Sequence, residues 1–534
     1  MTSLNRRSFL EFLGKGTVGI AMLPPLLNSC SETQAATPFS ITPLAPSPVD
    51  DLLLAEGLQY DVLIRWNEEI APGKVFGFNN DFTCFLPFDK DNPKDGILWV
   101  NHEYVDSRYV TGVGYGPEAM ASKTKEQADI EIEAVGGSLL RVRKQNGTWS
   151  FVPGDQYNRR VSGHARIPFN WDEPIQGATE AMGTLANCSG GLLPNGNILT
   201  CEENYDQFYG ERNLETGALI THDFDLGWYN FYQNPPEHYG WVVEVNPKTG
   251  EAQKHIALGR CAHECATVHE LEDGRLVVYS GDDANDQCLY KFVGSKPGSL
   301  KEGMLYVAVL ESGRWEALDH SRPELKEKFE SQTEVLVRLR QSAKAVGGTP
   351  LNRPEDIEID PLTGHVLISL TNNKPKGDYF GSILKIEEDG GTYDAMTFQS
   401  ETYLAGGEET GFACPDNMAF DPRGNLWFTS DISGSNLNAA PYSSFGNNGL
   451  YVVPRSGEQA GQVIQIASAP VHAELTGPWF SPDGKTLFLS VQHPGEASTD
   501  INNPSSHWPD GGESTPRPSV VTIQGELLNQ LCAI

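Results

Sequence analysis

Residues 187–204 read Asn187-Cys188-Ser189-Gly190-Gly191-Leu192-Leu193-Pro194-Asn195-Gly196-Asn197-Ile198-Leu199-Thr200-Cys201-Glu202-Glu203-Asn204. Pro-Asn-Gly between two apolar runs predicts a β-hairpin. A hairpin brings its ends together, so the Cys188 thiol and the carboxylates of Glu202 and Glu203 should meet at one sheet edge. A thiolate beside carboxylates suits a transition metal flanked by harder, oxygen-bound cations. Taken alone, the stretch reads as well as a buried cysteine near two surface acids.

The pattern recurs. Asp91-Asn92-Pro93-Lys94-Asp95-Gly96 leads into Ile97-Leu98-Trp99-Val100 and Asn101-His102-Glu103. Asp273-Gly274 leads to Gly281-Asp282-Asp283, and Thr363-Gly364 to Thr371-Asn372-Asn373. Arg423-Gly424 leads to Thr429-Ser430-Asp431, and Asp483-Gly484 to Gln492-His493. With Gly196 that makes six turn glycines, at 96, 196, 274, 364, 424 and 484, with gaps of 100, 78, 90, 60 and 60 residues. Six sheet-forming units at such periods predict an all-β fold, a six-bladed β-propeller. Before most turns a second polar group opens the incoming strand: Cys188, His263-Glu264, Arg353-Pro354-Glu355 and Asp416-Asn417. Both ends of each hairpin then face one rim around the central axis. Each acid alone could be a solvated surface group. Converged, they repel one another and raise one another's pKa, which points to bound cations.

Two stretches interrupt the repeat as helical insertions. Pro117 to about Ala134 has helical spacing. Ser321-Arg322-Pro323-Glu324 through Gly348 has a Ser cap, a first-turn proline and a glycine stop, which predicts a helix that is either a lid or clamp for the site or surface decoration.

The whole chain has 534 residues, 71 Asp plus Glu against 39 Lys plus Arg, and a net charge of −32. That balance argues against nucleic-acid partners and anionic membrane surfaces. Asn5-Arg6-Arg7-Ser8-Phe9-Leu10 and the mildly apolar run to Leu27 form a twin-arginine export signal, so residues 1–36 are read as a targeting segment. Leu27-Asn28-Ser29-Cys30 resembles a lipoprotein cleavage box with Cys30 as the lipidated residue, and cleavage near Ala35-Ala36 is the plain secretory alternative. Residues 37–48 read as a linker and 49–534 as one propeller domain. The expected location is periplasmic or extracellular, with a lipid anchor as an option. Eight further cysteines permit many pairings, and spacing chooses none of them.

Together these motifs resemble the PhoX-type alkaline phosphatases. Asn101-His102-Glu103-Tyr104, Asn187-Cys188-Ser189-Gly190-Gly191, Cys201-Glu202-Glu203-Asn204, His263-Glu264, Gly281-Asp282-Asp283, Arg353-Pro354-Glu355, Thr371-Asn372-Asn373, Asp416-Asn417 and Gln492-His493-Pro494-Gly495-Glu496 occur in order from about residue 50 to about 500. The resemblance implies an exported phosphomonoesterase for phosphate acquisition, a site of two ferric and three calcium ions, small phosphoesters as substrates, and Arg353 as the group that holds the phosphate. Cys188 matches a cysteine that bridges the irons. Glu103, one of Glu202 and Glu203, Glu264 and Glu355 match metal-binding glutamates, and Asp283, Asp416 and Glu496 are expected beside them as ligands. A monomer is expected. The chain departs from the family pattern at Ala186, Ser189 and Asp356. The other readings of the same residues are a calcium-dependent propeller lactonase or esterase, and a non-catalytic binding propeller stabilised by calcium.

Overall fold

The computed structural model describes residues 40–213, 215–221 and 226–533. The twin-arginine motif and Cys30 lie outside the described residues. Six antiparallel sheets follow one another along the chain. The first four start with the innermost strands Asn80–Pro87, Asn187–Leu192, Thr267–Glu270 and Pro354–Ile359, and the last two with Pro415–Phe420 and Glu474–Phe480. Each inner strand pairs with the next in sequence, so every blade is a meander read outward from the axis. The second strands are dense in apolar residues, as in Ile97-Leu98-Trp99-Val100 and Leu426-Trp427-Phe428, because they are covered on both faces by neighbouring blades. Trp99 and Trp427 are fully buried there.

The ring is closed by the N-terminal part of the domain. Leu58–Arg65 forms the outer strand of the sixth blade by pairing with Ser519–Gly525 along its whole length. Leu53–Leu54 adds an outer edge to the fifth blade. A closed ring leaves no long sheet edge open between first and last blades. The described part of the expected linker, residues 40–48, is packed as well. Ile41 is buried in the core between the last two blades, and Leu44 donates its N–H to the Gln465 carbonyl at 2.8 Å.

Turns are present at all six expected places, five of them with the expected glycine in the turn. Gly196, Gly274, Gly364, Gly424 and Gly484 all adopt left-handed φ between 66° and 86°. Gly96 is different. It lies inside the strand Asp95–His102, and a Cβ there would sit 2.3 Å from the Leu86 carbonyl. The first blade turns instead through residues 88–94.

The insertions also differ in detail from the sequence reading. The first holds two helices, Pro117–Ser122 and Lys125–Ala134, the second opened by a Thr124–Gln127 capping box. The second breaks into Pro323–Lys326, Gln332–Val337 and Leu339–Ala345, with Ser331 and not Ser321 as the side-chain cap. No disulfide forms among the described residues, and all eight of their cysteines are free.

Candidate active site

Five blades begin in the same unusual way. The residue two before the first site acid has a left-handed backbone without being glycine: Asn79 (φ 40°), Ala186 (53°), Arg353 (52°), Cys414 (51°) and His472 (58°). Two residues later come Asp81, Cys188, Glu355, Asp416 and Glu474. In the first, second, fourth and fifth blades the ladder skips at this point, between Asn80 and Thr83, Asn187 and Gly190, Pro354 and Ile357, and Pro415 and Met418. These are β-bulges, and a bulge re-aims the side chain that it carries. Glu264 takes the matching place in the third blade.

The second strand of each blade ends opposite this point. The N–H groups of Glu103, Glu203, Asp283, Thr371 and Asp431 donate to the carbonyls of Asn79, Ala186, Ala262, Arg353 and Cys414, at 2.9–3.1 Å. His493 holds the sixth position, with its Nδ1 3.1 Å from the His472 carbonyl. Two concentric rings therefore converge on one axial cleft of about 390 Å³. The inner ring is Asp81, Cys188, Glu264, Glu355, Asp416 and Glu474. The outer ring is Glu103, Glu203, Asp283, Thr371, Asp431 and His493. Every member except Thr371 lines the cleft.

Nine carboxylates thus face one guanidinium and one imidazole. Burial first, and neighbouring acids second, push Asp81, Glu203 and Glu264 well above the usual carboxylate range. Glu103, Asp416 and Glu474 are also raised, chiefly by burial. Glu355 is raised by burial against the opposing pull of Arg353. Burial raises the Cys188 thiol too, reinforced by Asp81, Glu264, Glu103 and Glu203.

The donors group as cation ligands would. Asp81, Glu103 and Cys188 place ligand atoms within 4.8 Å of one another, as do Cys188, Glu203 and Glu264, and again Glu264, Asp283 and Glu355. The Cys188 Sγ lies 3.2 Å from both Asp81 Oδ2 and Glu264 Oε1, and a single S–H can serve only one of them. Arg353 Nη2 is 2.7 Å from Glu355 Oε1 but not aligned as a hydrogen bond, so that buried oxygen accepts none. A thiol shared by two carboxylates and an acceptor without a donor fit a bound cation and do not fit a closed protein network.

Arg353 is held at this cleft by Asp283, through Nε–Oδ1 at 2.9 Å and Nη2–Oδ2 at 2.7 Å. Its Nη1 faces Asp431 Oδ2 at 3.6 Å. Below the rings Asn417 locks the axis. Its Nδ2 donates to Glu264 Oε1 at 3.2 Å and to Asp416 Oδ1 at 3.1 Å, and its Oδ1 accepts from Thr476 and from the Gly477 N–H.

Of the residues expected from sequence, Glu103, Cys188, Glu203, Glu264, Asp283, Arg353, Glu355 and Asp416 are brought together. Glu202 is not. It faces the other way, and its carboxylate is gripped by the fully buried Lys254 at 2.7 and 2.9 Å. Successive strand residues point to opposite faces, so only one of the pair could reach the axis. Glu496 stands at the mouth, half-exposed, accepting the Tyr104 hydroxyl at 2.8 Å, and belongs to neither ring. Asp81, Glu474, Asp431 and His493 were not singled out as site residues. Glu474 lies ten residues before Gly484, within the same interval that found the others. Asp81 lies 15 before Gly96, too far because Gly96 is not the turn.

The family model for alkaline phosphatase PhoX matches residues 39–495. The chain belongs to the PhoX alkaline phosphatase family. It is a phosphatase, with the six-bladed fold that the family resemblance implied. Among solved structures, Pseudomonas fluorescens PhoX in complex with vanadate, a transition-state analogue, is 28% identical with a TM-score of 0.81, over 91% of this chain and 98% of that one. A protein of unknown function from Dyadobacter fermentans is 12% identical with a TM-score of 0.40, over 88% and 100% of the two chains. No curated protein matches the sequence.

Glu203→Gln should lower the metal content of this PhoX-family phosphatase, measured by elemental analysis. Glu202→Gln should leave metal unchanged but cost about 3–5 kcal/mol of stability, because Lys254 is then buried without its counter-charge. In chelated protein the raised acids bind protons that the unfolded chain has released. Their stabilising contribution is complete below about pH 4 and is lost as pH rises through their folded values. The melting temperature of chelated protein should therefore fall as pH rises above about 4, and excess calcium should restore it. A flat profile would show that the acids do not repel one another.

Proposed function

We propose that this phosphatase is an exported phosphomonoesterase whose two rings hold a cluster of ferric and calcium ions, two and about three in number as in the family it resembles. The observation that carries the reading is the shared Cys188 thiol, flanked by Asp81 and Glu264 among buried carboxylates. Soft sulfur with hard oxygen in one donor set favours iron beside calcium. Asp81, Glu103, Cys188, Glu203, Glu264, Asp283 and Glu355 are the residues that would hold the ions, with Asp416 and Glu474 completing the ring. Bound there, the ions would supply positive charge to phosphate oxygens and lower the pKa of an attacking water.

The protein's own groups do the rest. Asp283 takes the Nε/Nη2 edge of Arg353, and Nη1, which stands 3.6 Å from Asp431 Oδ2 without a hydrogen bond to it, would meet the phosphate. Planar, delocalised and always charged, a guanidinium suits an equatorial phosphoryl oxygen pair whose charge persists through the transition state. Cys188 is unsuited to attack. Its sulfur lies 3.2 Å from two carboxylate oxygens, Asp81 Oδ2 and Glu264 Oε1, and as a ligand its lone pairs would be held by the ions. The walls bury the acids and so keep the dielectric low where charge is transferred. The twin-arginine motif at Arg6-Arg7 supports export of a folded, loaded protein, and Cys30 would anchor it if lipidated.

Arg353→Met should retain bound metal and lose about 10²–10³-fold in kcat/KM for p-nitrophenyl phosphate, in line with removal of one oriented charge at the reacting group. Native-like kinetics in that variant would remove Arg353 from the site.

A further inference from the structure

The second insertion is packed too deeply to be a lid. Leu325, Val335, Leu336, Leu339 and Ala343 are buried in one core with Trp241 and Leu276 of the second and third blades. The Leu336 carbonyl accepts the Arg260 N–H at 2.9 Å. From the helix Leu339–Ala345, Arg340 reaches inward to Asp282, with Nε–Oδ2 at 2.9 Å and Nη2–Oδ1 at 2.6 Å. The Asp282 side chain is fully buried and also takes the Ala262 N–H at 3.2 Å. The next residue is Asp283, which holds Arg353 by the same kind of two-point fork. Two guanidinium–carboxylate forks therefore stand back to back on adjacent residues, one facing the insertion and one facing the cleft.

We propose that Arg340 is a positioning residue for phosphate binding: by fixing Asp282 it sets the orientation of Asp283 and, through it, of the Arg353 guanidinium. The inference rests on the reading of Arg353 as the phosphate-holding group. Arg340 does not act on substrate directly. It lines a separate cavity of about 560 Å³ between the insertion and the second blade, and that cavity shares no lining residue with the cleft. The backbone around the forks is also tied down. The Asp283 N–H donates to the Ala262 carbonyl at 2.9 Å, and His263, the residue before Glu264, makes an antiparallel bridge to Asp282. A rotation that loosened Asp282 would carry Asp283 with it, and a guanidinium displaced by a fraction of an ångström would lose one of its phosphate bonds.

The test uses metal-loaded enzyme and inorganic phosphate as a competitive inhibitor of p-nitrophenyl phosphate hydrolysis. The double variant Arg340→Met/Asp282→Asn removes both charges, so no buried carboxylate is left unpaired and folding is preserved. We expect native metal content, a near-native melting temperature, and a weakening of both phosphate inhibition and KM by about tenfold, the equivalent of one charge-assisted hydrogen bond, with a smaller change in kcat. Arg340→Lys, which keeps charge but not the fork, should fall between the double variant and the native protein. Arg338→Met, on the same insertion but paired only with Glu334, should leave phosphate inhibition unchanged. Native phosphate affinity in the double variant, with Arg353→Met impaired, would overturn the positioning role alone. Native affinity in Arg353→Met would overturn the reading on which it rests.

Discussion

Like charges forced together on one axis set the terms for this molecule. At the separations within the three candidate cation-ligand groups, at most 4.8 Å, two ionised carboxylates in an effective dielectric of about 20 repel by about 3.5 kcal/mol or more. A few such pairs match the whole stability of an ordinary domain, about 5–15 kcal/mol. The rings therefore need protons or cations. Burial and neighbouring acids push Asp81, Glu203, Glu264 and Glu355 upward and so favour their protonated forms, and cations would release those protons. The propeller is a scaffold able to carry this load. Its six sheets are fixed outside the rings by buried aromatic and aliphatic layers, and its circle is closed by Leu58–Arg65.

The rings arise from one local device used repeatedly. A left-handed residue turns the chain onto the axis, the ladder skips, and the residue two further on points inward. Strain of this kind persists where the surrounding structure over-determines it, which is common at functional sites. The fourth blade is the informative exception. There the left-handed residue is Arg353 itself, and the outer-ring position opposite it is Thr371, without charge. One blade thus sets a guanidinium beside its inner-ring acid and no charge opposite, and the proposed anion site rests on that asymmetry.

The hairpin period and its polar ends were legible because apolar strands and turn residues leave a strong mark over short stretches. The blade count and most of the inner ring followed from that. Choosing between Glu202 and Glu203 was not possible from spacing. It depends on which face of a short strand looks to the axis, and a buried Lys254, 52 residues on, settles it. Asp81 was hidden because Gly96 resembles a turn glycine while serving close strand packing against Leu86. The second insertion read as one helix because its cap and stop signals lie at its ends. Its inward-reaching Arg340 depends on tertiary contacts that no local pattern encodes. The proposed iron and calcium rest on family resemblance and on donor chemistry, since carboxylate spacing alone does not name an ion.

Elemental analysis of purified, unchelated protein, compared between the native chain and Cys188→Ser, bears most directly on the rings as a cation site. The account predicts iron near two and calcium near three per native chain, with iron lost in the variant because the shared thiol is its soft ligand. Native protein free of both metals, or iron retained in full without the thiol, would contradict it.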